Sequence, residues 1–389
     1  MPIPFLDLKA QYRNIKDEID EKIAEVVASQ RFILGEEVEK LEEEIAAYSG
    51  ARHGVGVSSG SDALIISLMA LGIGEGDHVV TTPFTFFATA GAVARLRAVP
   101  IFCDIEPDGF NLDPVKLEEL LKQKITGRDN GRIKAIIPVH LYGQLVDMDA
   151  INALAKLHDL FVVEDAAQAV GSEYAGVQGI KRACTLGDMG TLSFFPSKNL
   201  GAFGDGGMVL TDDTQLAEKL RVLRVHGSQN KYIYQMLGGN FRLDALQAAI
   251  LRIKLNHLDD WHLGRQRVAD GYRSRFQDSG LLDSGAVRLP VELYREQGIK
   301  HYHTYHQYVL RVQDRDRLQI HLRDKGIPSA IYYPLGLHLQ ECFSYLGYKK
   351  GDFPQTEMAC QEVLALPVYP ELTETQQDQI VEGIRSFYS

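Results

Sequence analysis

Ile15, Ile19, Ile23 and the Val26/Val27 pair recur every three to four residues between acids and lysines, which predicts an amphipathic helix over 12–30. A second helix is predicted over about 36–48. Both precede the first strand–helix pattern, so they serve either as an arm or dimer contact or as ordinary packed helices. From residue 54 the texture changes. Residues 54–57 read as a short strand, followed by a small-residue turn and a helix beginning near Ser61. Residues 78–82 give a strand and a turn, with Phe86 and Phe87 at the start of the next helix. Apolar strands at 99–105 and 133–140 are separated by a helical pattern over 114–124, and 161–165 is a buried strand ending in Glu164-Asp165. Residues 190–195 and 207–211 form a strand pair around a loop. A helix near 214–225 follows, and a polar loop at 238–241 then opens one long helix reaching about 275. Strands alternating with helices predict a mostly parallel sheet whose ligand sits at the carboxyl ends of the strands. From 286 onward, strands at 306–312 and 331–334, a helix over 314–325 and a last helix over 374–387 predict a smaller α+β unit. The expected division is a large α/β domain over 14–255 and a small one over 256–389, with 1–13 packing near the small one.

Composition narrows the function classes. A chain of 389 residues with 45% hydrophobic content can fill a substantial core. A formal charge of −11 disfavours a general nucleic-acid or acidic-membrane role, though it leaves room for a local basic pocket. Cys103, Cys184, Cys342 and Cys360 are scattered, without disulfide or zinc spacing. His301, His303 and His306 would put two imidazoles on one strand face, but no carboxylate or cysteine stands at ligand spacing, so no metal is expected. The amino end has no basic segment leading into an apolar run, and no window reaches the length of a membrane span. A cytosolic protein is expected.

The candidate chemistry centres on Lys198. It lies between the hydroxyl of Ser193 and a loop with glycines at 201, 204, 206 and 207, among Phe194, Phe195, Leu200 and Phe203. An amine with restricted hydration loses part of its preference for the charged form and becomes a nucleophile able to form a Schiff base. The glycines allow close backbone approach and positive φ where the path requires it. Asp165, at the end of its strand, could hold a protonated pyridine nitrogen. A lysine and an acid are the two partners pyridoxal phosphate needs. The helix start near Ser61 suits a phosphate, or else is simply capped by Ser59 or Ser61.

At these residues the chain resembles the DegT/DnrJ/EryC1/StrS sugar aminotransferases, pyridoxal-phosphate enzymes of the aspartate aminotransferase fold (fold type I). The resemblance runs from about Pro4 to the last helix. It rests on Ser59-Gly60-Ser61-Asp62-Ala63-Leu64, Thr85-Phe86-Phe87-Ala88-Thr89, His140-Leu141-Tyr142-Gly143-Gln144, Glu164-Asp165-Ala166-Ala167-Gln168 and Ser193-Phe-Phe-Pro-Ser-Lys198-Asn-Leu-Gly. It implies that Lys198 carries the cofactor and moves protons, and that Asp165 holds the ring nitrogen. Gly60, Ser61 and Ser193 would meet the phosphate, Phe86 would stack on the ring, and Gln168 would lie near the ring oxygen; Phe87 is expected as a core aromatic beneath the sheet. Asn240, in Gly238-Gly-Asn-Phe-Arg242, would reach the phosphate of a neighbouring subunit, so a homodimer with shared sites is implied. Arg242 would contact substrate or phosphate or form a surface ion pair, and Tyr332 and His338 would lie near the substrate. The implied reaction moves an amino group from L-glutamate to a keto sugar on a nucleoside diphosphate (dTDP or UDP), for amino-sugar or surface-glycan biosynthesis. A histidine replaces the lysine in the family's dehydrating branch, so Lys198 favours transamination. The wording of the motifs favours C3 over C4. The rival readings are a non-catalytic pyridoxal-phosphate regulator and a cysteine desulfurase, for which Cys342 is the candidate nucleophile.

Overall fold

The computed structural model describes residues 3–126, 132–230 and 232–389. Helix α1 (Leu8–Ser29) starts a turn earlier than the apolar spacing predicts because the Asp7 carboxylate accepts from the Ala10 amide at 2.9 Å. Ile15, Ile19 and Val26 form its buried face. With α2 (Glu36–Ser49) it packs on α8 (Ala245–Leu255), where Arg252 pairs with Glu37 and Glu44.

The central sheet takes β1 (His53–Val57), β2 (Asp77–Thr81), β3 (Val99–Phe102), β4 (Arg132–Ile137), β5 (Phe161–Asp165), β8 (Met189–Ser193) and β9 (Gly207–Thr211), in the order β1-β9-β8-β5-β4-β2-β3. Only β9 runs against the others, so the sheet is mostly parallel, as the alternating pattern predicts. Helices α3 (Gly60–Ala70), α4 (Ala88–Arg95), α5 (Pro114–Thr126), α6 (Met148–Leu157) and α7 (Thr214–Leu223) flank the strands, and β6 (Glu173–Gly176) with β7 (Gly179–Arg182), and β10 (Ser228–Asn230) with β11 (Ile233–Tyr234), make separate antiparallel pairs. Strands buried on both faces explain the continuous apolar runs in β2, β4 and β5. Register fixes the site. Val57 and Ser193 both pair with Gly207, Asp165 pairs with Thr191, and the ends of β1, β5 and β8 therefore open at one level.

Two predicted elements differ. The long helix expected to run to about 275 is two helices, α8 and α9 (Leu258–Asp278), separated at Asn256 and His257. Asn and His are weak helix formers, and Asp259 and Asp260 sit where the amino end of a new helix favours acids. No strand forms over 331–334: Ala330 makes an isolated bridge to Ala365, and Pro334 lacks the donor a ladder requires. The second sheet, β12 (Val287–Arg288), β13 (Tyr308–Val312) and β14 (Val363–Leu366), is antiparallel. Because β13 begins at Tyr308, His301 and His303 lie in irregular chain and share no strand face. Helices α10 (Arg315–Asp324), α11 (Pro354–Glu362) and α12 (Glu374–Tyr388) complete this part, α12 with a Thr373/Gln376 capping box.

One apolar core runs without interruption from Ile136 and Leu192 of the central sheet to Tyr308 and Leu310 of the second, and Ile3 joins it. The Phe5 ring stands 6.4 Å from that of Tyr332. Among the described residues no helix is long and apolar enough to cross a membrane.

Candidate functional site

A cavity of about 750 Å³ opens at the carboxyl ends of β1, β5 and β8, and Gly60, Ser61, Phe86, Asp165, Gln168, Ser193, Lys198 and Tyr332 all line it. At one end α3 presents its first turn. Ser59 is the cap, accepting from the Asp62 amide at 3.0 Å, while Ser61 remains exposed to the cavity. The unpaired amides and dipole of that turn favour an anion. A Cβ on Gly60 would stand 2.6 Å from Ser193 Cβ, so only glycine lets the turn close against β8. Gly60→Ala is expected to force these segments apart and weaken cofactor binding by about 5- to 150-fold, the consequence of ~1–3 kcal/mol of overpacking. Equilibrium titration with pyridoxal phosphate measures it.

The loop between β8 and β9 carries Lys198. Phe194 and Leu200 are buried, whereas Phe195 and Phe203 are exposed, Phe195 on the wall of the cavity that contains Lys198. The Lys198 amide closes a turn on the Phe195 carbonyl at 2.8 Å. Burial pushes the amine down to about 8, against the opposing pull of Asp165. None of the four loop glycines adopts positive φ. Close approach explains two of them: a Cβ would lie 2.3 Å from the Pro196 carbonyl at Gly201 and 2.4 Å from the Ser59 carbonyl at Gly207. From α8, buried Lys254 donates to the Gly201 carbonyl at 2.6 Å and lies over the Phe203 ring.

Burial pushes Lys254 down to about 8 as well. An unfolded lysine titrates near ~10.4, so between about 8 and that value the unfolded chain holds more protons than the folded one. Stability from this group therefore rises with pH across the window and is lost as pH falls through 8. Lys254→Met is expected to flatten that rise. Urea unfolding of cofactor-free protein at pH 8 and pH 10 tests it, and an unchanged slope would refute the assignment.

Strand alternation separates the two acids of β5. Glu164 faces away from the cavity and is fully buried, accepting from His140 Nε2 and from the amides of Cys184, Leu186 and Gly187. Asp165 faces the cavity; its Oδ2 accepts from Thr89 Oγ1 at 2.7 Å and its Oδ1 from the Ala167 amide at 3.2 Å. Gln168 Oε1 accepts from the Tyr142 amide at 2.7 Å, and its Nε2 donates to the Tyr333 hydroxyl at 3.2 Å. Phe86 is exposed on the cavity wall. Phe87, expected beneath the sheet, is also exposed and lines the cavity, against Phe343 at 5.6 Å. It caps α4, whose first residues follow the strand end rather than the sheet face.

Three expected contacts lie apart from the cavity. Asn240 is exposed and bridged to Val225. Arg242 is half-buried beside Val57. His338 is buried, with Nε2 3.2 Å from Glu357 and its ring against Phe353. Thr89, given no role from the sequence, joins the site, as do His306, considered there only as a metal ligand, and Tyr333, the neighbour of Tyr332 in the segment expected near the substrate. Thr89 stands inside the quoted Thr85–Thr89 motif, one helical turn beyond Thr85 and facing Asp165, which is the signal that could have found it. No group of three or more metal-ligating side chains occurs among the described residues.

The profile of the DegT/DnrJ/EryC1/StrS aminotransferase family matches residues 13–385. The chain belongs to this family. A pleiotropic regulatory protein of Geobacillus stearothermophilus is 51% identical over 100% of this chain and 99% of its own. A UDP-N-acetyl-3-dehydro-alpha-D-glucosamine 3-aminotransferase of Acidithiobacillus ferrooxidans is 42% identical over 98% of this chain and 97% of its own. Among solved structures, a DegT/DnrJ/EryC1/StrS aminotransferase from Brucella abortus superposes with TM-score 0.91 at 37% identity over 100% of both chains. NtdA from Bacillus subtilis, crystallised with bound cofactor PMP, gives 0.86 at 32% identity over 98% of this chain and 84% of its own. The family's cofactor is pyridoxal phosphate. This aminotransferase has residues that fit it. The Gly60 cradle at the α3 turn suits the phosphate, the buried Asp165 carboxylate suits a protonated ring nitrogen, and Lys198, titrating near 8, suits the aldehyde.

Proposed function

We propose that this aminotransferase moves an amino group from L-glutamate to the keto group of a sugar carried on a nucleoside diphosphate, dTDP or UDP, at C3 in preference to C4. The observation that carries the reading is the convergence of Lys198 and Asp165 on one cavity of about 750 Å³. The Acidithiobacillus relative, named for a 3-dehydro nucleotide sugar, supports the acceptor class and the carbon. When bound, pyridoxal phosphate supplies an aldehyde with which amines condense and a protonated ring that draws electrons from a carbanion. Lys198 Nζ would take the donor's α-proton and, as general acid, return it to the former carbonyl carbon on the far side of the transferred nitrogen, two atoms along. Its titration near 8 keeps a useful share of the amine free at neutral pH. Asp165 holds the ring nitrogen's proton, with Thr89 fixing the carboxylate. Gly60, Ser61 and Ser193 bind the phosphate, Phe86 covers the ring, and Gln168 serves the ring oxygen. Tyr332 lines the same cavity, where it would meet the substrate.

Asn240 is exposed and outside its own chain's cavity. We assign it to the phosphate of a second copy, which makes the working unit a homodimer. The test is a near-UV and visible absorbance titration of cofactor-loaded protein. L-glutamate should change the spectrum, and a 3-keto nucleotide sugar should restore it faster than a 4-keto one; the reverse order would overturn the preference for C3.

The name of the Geobacillus relative favours a second reading, a regulator that binds the cofactor without turnover. A spectrum unresponsive to any amino donor would select it.

A further inference from the structure

Asn199 follows Lys198 directly and is buried. Its Nδ2 donates to the Thr304 carbonyl at 2.8 Å, which leaves Oδ1 facing His306 Nδ1 at 3.1 Å. An amide oxygen only accepts, so Nδ1 must carry the hydrogen and Nε2 of the neutral ring bears the lone pair. The Thr304 end is itself held, since the Thr304 amide donates to the Gly143 carbonyl at 3.0 Å. Nε2 has no hydrogen-bond partner among the described residues, and the half-buried ring lines the cavity that contains Lys198. Burial pushes His306 well below the ordinary imidazole range, and Lys198 and Arg265 push it the same way. The two carboxylates lining the cavity, Asp165 and Asp205, make no hydrogen bond to it.

A neutral lone pair attracts an O–H or N–H and repels a carboxylate. The amino donor brings carboxylates, whereas a sugar brings hydroxyls, so the two substrates of a transaminase are not equivalent partners for this nitrogen. We propose that Asn199 and His306 form a preset hydrogen-bond acceptor for the sugar: Asn199 positions the ring, and His306 Nε2 takes a hydroxyl of the keto sugar bound beside Lys198. This rests on the transamination reading for the identity of the sugar, and on geometry alone for the tautomer.

Nitrogen-15 spectra of histidine-labelled, cofactor-free protein test the geometry. The His306 signals, identified by their loss in His306→Phe, should be those of a ring protonated at Nδ1, and Asn199→Leu should turn them into a mixture. In the loaded enzyme His306→Phe should raise KM for the keto sugar about tenfold, as one lost hydrogen bond would. KM for the amino donor should stay within about twofold, and His306→Gln, which retains an acceptor, should recover part of the loss. Protonation at Nε2, or a KM change confined to the donor, overturns the proposal. Should wild-type protein transfer to no keto sugar, the transamination reading fails; the tautomer spectrum, with the affinity of cofactor-free wild type and His306→Phe for a nucleotide sugar lacking the keto group, still decides the role of His306. If His306→Phe does not fold, His306→Gln and Asn199→Leu make the same comparisons.

Discussion

Lys198→Ala is expected to lower amino transfer by at least about 10³-fold while leaving the protein folded. In the proposed reaction the side chain supplies both the covalent anchor and the proton carrier, and its amine is one that desolvation has already pushed down to about 8. Folding should survive because the loop is held from other points. The Lys198 amide to Phe195 carbonyl turn and the Lys254 to Gly201 carbonyl bond do not involve the Lys198 side chain. Single-turnover kinetics with L-glutamate measure the loss. Borohydride reduction followed by peptide mass spectrometry should find cofactor bound to Lys198 in the wild type and nowhere in the variant. Added methylamine should recover part of the rate, because a cavity of about 750 Å³ admits a small amine where the side chain has gone. A residual rate within tenfold of wild type would remove Lys198 from the mechanism.

Asp165→Asn should lower the same rate by about 10²–10³-fold, the scale for loss of one preorganised electrostatic partner in a water-poor site. The amide matches the carboxylate in shape: its oxygen can accept from the Ala167 amide while its NH2 donates to the Thr89 hydroxyl, which can turn to accept, so the fold is expected to tolerate it. What disappears is the negative charge proposed to hold the ring nitrogen's proton. Asp165→Ala should add a stability loss of about 1 kcal/mol, since the Thr89 hydroxyl loses its shortest acceptor and keeps only the Phe86 carbonyl at 3.3 Å and the Thr85 hydroxyl at 3.2 Å. Exchange of the donor's α-hydrogen in heavy water isolates the step that Asp165 serves. Slowed exchange with unchanged cofactor affinity is the expected pattern; unchanged exchange would refute the role.

The two acids of β5 also mark where a linear reading stops. Glu164 and Asp165 are adjacent and chemically alike, and period-two alternation places them on opposite faces of the sheet. Which face is the cavity depends on the neighbours. Glu164 meets His140 and three amides, so it is consumed by structure, whereas Asp165 meets Thr89 and open space. Phe86 and Phe87 pose the same problem at a strand–helix junction, where alternation no longer holds and both rings reach the cavity.

Local patterns in the chain were enough to specify the elements that build the site. Period-3.6 and continuous apolar runs specify the helices and buried strands, and small residues at Gly60 and Gly207 mark where backbones must touch. A lysine and an acid after strand ends specify the cofactor chemistry. Those properties depend on residues close in sequence. The tertiary structure alone decided which distant groups meet. Thr89 lies 76 positions from Asp165, Asn199 lies 107 from His306, and Tyr333 lies 165 from Gln168. It also set His338 against Glu357 and left Asn240 outside its own cavity. Such pairings arise from strand order and helix packing, whose register is fixed by burial over the whole sheet, and no short stretch of chain contains that information.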